Sequence, residues 1–239
     1  MIRFNLQKLV SAGMLVTLLG TSFSLLSTIA DTQASDAAKP GFPGRRVGGG
    51  TRGDCSTTGP LISLVPQDNV SVTTSAHPSL WFYVSASKSM QNMEFVLYDQ
   101  TNKLVYETIV PTPEQSGIVR IALPNSEKLS PLAIDETYHW YLSMVCPVTR
   151  AADISVNGGL RRIAAPANLP KQLESATPLK QAKLYREAGI WSDALTILAN
   201  LYSTQSADPQ VAGELEQLLQ TADLGSKTNP LFRAEKPKS

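Results

Sequence analysis

The sequence predicts a mainly β protein with C-terminal helices: a seven-stranded, immunoglobulin-like antiparallel β-sandwich, then a small helical hairpin or three-helix segment. Three observations carry this. The stretch 138–146 (YHWYLSMVC) alternates, with Tyr138, Trp140, Leu142, Met144 and Cys146 on one face and His139, Tyr141, Ser143 and Val145 on the other. Two large aromatics and a cysteine on one face mark the central strand of a sandwich. Short strand-like runs separated by turn residues recur from 61 to 163. Past 177 the apolar spacing changes to that of amphipathic helices.

Before the strands come a leader and a tail. Arg3 and Lys8 precede a stretch from Leu9 to about Ala30 that is apolar or small throughout, the pattern of a secretory signal peptide over 1–30, with Ala30 or Ala34 just before the cut. Because the stretch is longer than a usual signal core, an uncleaved membrane anchor is the alternative. Residues 31–53 read as a flexible tail holding Arg45, Arg46 and Arg52 among glycines. Guanidinium forks and backbone N–H groups there could hold an anion. A phosphate loop would end in Lys-Ser or Lys-Thr opening a helix, and this run ends in Asp54-Cys55, so a nucleotide site is excluded. The plainer reading is a turn leading into the first strand.

The sandwich domain spans 54–163. Its strands are expected at 61–65, 79–85, 93–98, 104–110, 117–123, 137–146 and 153–163. The D-Q-T-N-K between the third and fourth makes a hairpin loop. Asn157-Gly158-Gly159 is read as a bulge within the last strand rather than a hairpin turn. Cys55 and Cys146 are the only cysteines; in an exported chain such a pair is expected to bridge, and two free thiols in a reducing compartment are the alternative.

Residues 164–176 read as a linker, and 177–224 as the helical segment. Thr177-Pro178 caps a helix that Gly189 stops. A second helix over 191–202 aligns Trp191, Ala194, Leu195, Leu198 and Tyr202. Asp208-Pro209 starts a third, with Val211, Leu215, Leu218 and Ala222 on one face. Three helices cannot bury both stripes among themselves. Either the sandwich covers the remainder, making one rigid unit, or a groove stays open for a partner. The first helix and Trp191 are expected inside, and part of the third helix accessible, with the docking face over 191–219. The candidate interaction residues are Trp191, Leu195, Leu198, Tyr202, Val211 and Leu215, with Arg45, Arg46 and Arg52 in the tail. Residues 225–239 read as a frayed polar end.

Charge and chemistry narrow the function. Two of the 21 Lys and Arg residues, Arg3 and Lys8, lie in the first thirty positions with no acid. The chain from Asp31 thus balances 19 bases against 20 acids, which argues against a nucleic-acid binder. Two histidines, His77 and His139, with bridged cysteines and scattered carboxylates, are too few for a metal centre. No nucleophile elbow is present. The aromatics Trp81, Tyr83, Trp140 and Tyr141 would stack sugars if several were exposed, but their alternation favours packing.

Four segments together, RRVGGGTRGDC, HPSLWFYV, YHWYLSMVC and LYREAGIWSDAL, resemble a cyanobacterial exported family known only as a domain of unknown function. The resemblance covers roughly 45–201. It implies a cyanobacterial source and export, and supplies no catalytic residue. It also implies an aromatic after the glycine in the last strand, where this chain has Gly159, so looser packing is expected there. Separately, Ala182, Tyr185, Gly189, Trp191, Ala194 and Leu198 resemble one tetratricopeptide-like unit, with Pro209 displaced, and an ordinary helical hairpin is the alternative.

Two function classes follow. One is a non-enzymatic periplasmic or envelope module that needs no cofactor, has no span after signal cleavage and binds another envelope protein. The other is a hydrolase or carbohydrate-active protein with its site on the sandwich face or loops. Convergence of His139, Tyr141 and a carboxylate in one pocket would speak for the second.

Two outcomes test the export reading. N-terminal sequencing of protein from its native host should begin at Asp31 or Ser35, and an intact start in a cytoplasmic fraction would contradict it. Reducing Cys55–Cys146 should cost about 4–5 kcal/mol of stability, measured by urea unfolding with and without reductant; superimposable curves would count against a structural bridge.

Overall fold

The computed structural model describes residues 42–48, 55–127, 129–150, 153–205 and 208–224. Among the described residues, nine strands form two sheets. The four-stranded sheet runs β1 (Val47–Gly48), β2 (Leu61–Ser63), β4 (Ser79–Val84), β7 (Gly117–Ala122). The five-stranded sheet runs β3 (Val70–Thr73), β9 (Ile154–Arg162), β8 (Thr137–Val145), β5 (Asn92–Tyr98), β6 (Leu104–Pro111). Strand β8 lies at the centre of the larger sheet. Its alternation does what the period of two demands: Tyr138, Trp140, Leu142 and Met144 are buried, while Tyr141 is exposed and His139 half-buried.

The two inner faces enclose one core. Trp140 meets Phe82 of the opposite sheet edge-to-face, with ring centroids 5.3 Å apart, and Met93, Phe95 and Leu97 surround them. Cys55 and Cys146 are bonded, with Cα atoms 5.7 Å apart, and tie the segment before β2 to the end of β8.

The four-stranded sheet is apolar on its other face too. Ile62, Leu64 and Tyr83 belong to a second cluster, shared with the helices and flanked by Trp81 and Ile118. This explains the unbroken S-L-W-F-Y-V of β4, since a strand covered on both faces has no reason to alternate. The cover is supplied by α2 (Pro178–Glu187), α3 (Trp191–Thr204) and α4 (Pro209–Thr221). The Thr177 hydroxyl accepts from the Lys180 N–H at 3.4 Å, and the Asp208 carboxylate accepts from the Gln210 N–H at 2.8 Å. Each cap is followed by proline in the first turn, where a missing N–H costs nothing. Gly189 takes the left-handed conformation (φ 71°) that turns α2 into α3. Trp191 is 7% exposed, and its indole N–H donates to the Leu64 carbonyl at 3.0 Å.

Several expectations need correction. There are nine described strands rather than seven, and β3 pairs with β9 in parallel, so the sheets are not wholly antiparallel. The linker holds a short helix, α1 (Leu169–Glu174), seated by buried Leu169. Asn157-Gly158-Gly159 makes no bulge: Trp140 faces Gly158 and His139 faces Gly159 in unbroken register. A Cβ on Gly158 would come within 2.6 Å of the Trp140 ring, so the glycine makes room for the indole instead. Nor is the strand loosely covered at Gly159, because the Phe42 ring lies against it.

The tail is ordered where it is described. Val47–Gly48 pairs with β2, and the Arg45 carbonyl and N–H bond to Asn157. Arg46 is turned inward. Its guanidinium donates to the Val65 and Ala222 carbonyls at 2.9 and 2.5 Å. Burial lowers its pKa, against the pull of Asp223 and Asp68. Arg52, the leader 1–30 and the polar end 225–239 lie outside the described residues.

The helical docking face is also corrected. Val211 is 1% exposed and Leu215 2%, while Leu195 and Leu198 are equally enclosed and Tyr202 half-buried. Leu195, Leu198 and Leu215 share one cluster with Ile62, Leu64 and Tyr83 of the sheet's outer face, and α4 packs along α3 and against α2.

At the joint between the layers, Asp193 in the first turn of α3 accepts from the Thr74 N–H at 2.9 Å and from the Thr73 hydroxyl. Desolvation nevertheless holds its pKa above the usual carboxylate value. A carboxyl raised in the folded state stabilises fully below its unfolded pKa and loses that contribution as pH rises through the folded value.

Three substitutions test this packing. Trp191→Ala should cost about 3–5 kcal/mol in chemical denaturation; a parental midpoint would mean the hairpin is not packed. Val211→Glu should lower the melting temperature sharply, because it buries a charge; unchanged melting would place Val211 at the surface. Asp193→Asn should gain on the parent in melting temperature as pH climbs from just below the ordinary carboxylate range to neutrality. A difference that stays constant or shrinks would reverse the assignment.

Candidate functional site

While the four-stranded sheet is covered by helices on its outer face, no described element covers the outer face of the five-stranded sheet over β5 and β8. A basin of about 450 Å³ opens on it. The residues are placed there by strand alternation alone. While Met93, Phe95 and Leu97 of β5 point into the core, Glu94, Val96 and Tyr98 point out. On β8 the outward set is His139, Tyr141 and Ser143. Antiparallel pairing sets Glu94 opposite Ser143, Val96 opposite Tyr141, and Tyr98 opposite His139. Asn102, left-handed at φ 62° in the β5–β6 loop, and Arg150 complete the lining.

Two aromatic contacts shape the rim. Tyr98 and Tyr141 meet nearly at right angles, 6.3 Å between centroids. Phe42 stands edge-to-face against His139 at 4.8 Å, held by its own N–H bond to the Asp68 carbonyl at 2.7 Å. At the other end, Arg150 donates to Glu94 at 2.6 Å and pairs with Asp153 at 3.0 Å. The bond to Glu94, with the charge of Asp153, raises the Arg150 pKa. The basin's two charged side chains therefore neutralise each other.

The structure thus gathers His139 and Tyr141 with a carboxylate, Glu94, as the hydrolase reading required. It does not bring them into catalytic contact. His139 and Ser143 lie four positions apart on one strand, roughly 13 Å at the rise of an extended chain, and Glu94 sits beside Ser143 at that far end. Of the other proposed sugar-stacking residues, Trp140 and Tyr83 are buried, and Trp81 is half-buried with its indole N–H donating to Thr196. Tyr141 alone of those four is exposed, at 41%. Sequence reasoning missed Glu94, Tyr98, Asn102, Arg150 and Phe42. The outward alternation of 94, 96 and 98 was readable, but its pairing with a strand more than forty residues later was not.

A second cleft of about 330 Å³, lined by His77, Arg120, Tyr185 and Asp193, lies at the sheet–helix joint. Its polar groups mostly serve the joint. Arg120 Nε donates to the Ser79 hydroxyl at 2.8 Å, and its guanidinium lies 5.8 Å over the Trp81 ring. Burial, helped by the Asp193 charge, raises the Tyr185 pKa, against a hydrogen bond with Thr74. Among the described residues, no three His, Cys, Asp or Glu side chains gather as metal ligands, and no helix is long and apolar enough to cross a membrane.

No curated protein matches the chain. Among solved structures it is similar to the fn3 domain of the human collagen alpha-1(XX) chain, at 14% identity and a TM-score of 0.26, over 39% of this chain and 76% of that one. The family described as Domain of Unknown Function (DUF928) matches residues 47–231, from the first strand through all four helices. The chain belongs to the DUF928 family.

Proposed function

We propose that this protein is an exported, non-enzymatic binding module of the cell envelope, and that its ligand face is the outer face of the five-stranded sheet. The observation that carries the reading is the register of that face. It collects aromatic and polar side chains in one basin, yet holds His139 far from Ser143 and Glu94, and it ties Glu94 to Arg150. A nucleophile and its base need hydrogen-bond reach, and a general acid needs a free carboxyl. Binding needs neither.

Export is supported by the charged and apolar start of the sequence and by the Cys55–Cys146 bond, which persists in an oxidising compartment. The cyanobacterial source is supported by the segment resemblance. The α2–α3 hairpin, read as one tetratricopeptide-like unit, serves here to cover the sheet, because its stripe is already occupied. The partner is then an envelope component, protein or otherwise, that meets the opposite side of the molecule.

Affinity capture from the native envelope tests this. The mature chain should retain a specific component, and the Tyr141→Ala, Arg150→Ala double variant should lose it. Gln217→Arg on the exposed side of α4 should keep it. Loss with the helix variant and retention with the double variant would move the ligand face to the helices.

A further inference from the structure

Resting on that reading of the outer face, we infer that the basin between Tyr98, Tyr141 and Arg150 is a subsite for a neutral saccharide. Three properties of the basin select this chemistry together.

The first is the pair of rings. Tyr98 and Tyr141 meet at 80°, and Tyr141 is 41% exposed although it sits mid-strand in the sheet. Two rings at such an angle form a corner in the lining of the basin. Val96, opposite Tyr141 in the register, supplies an apolar floor. A pyranose presents an apolar C–H face and a polar rim of hydroxyls, which matches a ring bordered by hydrogen-bonding groups.

The second is the charge. Glu94 and Arg150 pair at 2.6 Å, and Asp153 takes a further bond from Arg150 at 3.0 Å. No cation among the lining residues is left over for a phosphate or carboxylate, so an anionic ligand gains nothing here. A planar carboxylate beside a planar guanidinium still presents acceptors and donors side by side, the arrangement that neighbouring hydroxyls satisfy from both sides.

The third is shape. The basin of about 450 Å³ falls in the range of small-ligand sites, and it is open along the sheet rather than enclosed. Asn102 on the β5–β6 loop and Ser143 on β8 add an amide and a hydroxyl at separate points of its lining. An extended peptide would be read at a sheet edge through its backbone, not on a face. A purely apolar ligand would strand these polar groups.

The test uses the mature chain with its disulfide intact, titrated with neutral gluco-, manno-, galacto- and xylo-oligosaccharides and followed by amide NMR shifts. At least one series should move the resonances of Tyr98, Tyr141 and Ser143. Tyr141→Ala should weaken that binding about tenfold, the worth of one stacked ring, and Tyr141→Phe should restore it. Uronic-acid oligomers should bind no better than their neutral counterparts. Tighter binding of the acidic oligomers, or no shift with any neutral series, overturns the saccharide assignment. If the envelope component captured through Tyr141 and Arg150 proves to be a protein without glycan, the ligand face stands and the saccharide falls. If no capture depends on Tyr141 or Arg150 and no saccharide binds, both fall.

Discussion

The four-stranded sheet is apolar on both faces, and the rest of the structure answers to that. Its inner face closes on Phe95, Trp140 and Leu142. Its outer face, with Ile62, Leu64 and Tyr83, would be an adhesive surface of the kind soluble proteins rarely leave open. The helices exist in this fold to cover it. Trp191 does most at one point: it fills the gap after the α2–α3 turn, and its N–H satisfies a carbonyl of the segment leaving β2. The helices spend the apolar residues of their buried stripes here.

Two further ties make the layers one body. Arg46 reaches from the N-terminal segment to carbonyls at both the end of β2 and the end of α4, so that one guanidinium closes three separate parts of the chain. The disulfide does the same across the sandwich. The N-terminal segment also reaches the outer face of the five-stranded sheet. Phe42 takes the space that Gly159 leaves vacant and presses against His139. An aromatic is therefore present beside that glycine, supplied from over a hundred residues earlier in the chain instead of from the strand itself.

Much of this was legible in the residues. The alternation of 138–146 identified the central strand and its buried face, and Thr177-Pro178, Gly189 and Asp208-Pro209 placed the helix ends. What escaped has physical reasons. Strand β3 buries Ser71 and Thr73 and turns Val70 and Val72 outward, so its hydrophobic pattern is inverted. Its parallel pairing with β9 leaves no hairpin to read. Val211 is enclosed where an accessible face was expected, with α4 packing along α3 and against α2. The basin was half visible. His139 and Tyr141 share a strand face, but their neighbours Glu94 and Tyr98 become neighbours only through non-local pairing, which no local pattern encodes.

The central claim is that helices and sandwich form one cooperative unit because the shared sheet cannot stand uncovered. Native-state hydrogen exchange across a series of sub-denaturing urea concentrations tests it most directly. The most protected amides of α3, β4 and β8 should merge on a single isotherm, with one free energy and one urea dependence. Exchange of α3 through a separate opening of lower free energy, with β4 still fully protected, would contradict the account.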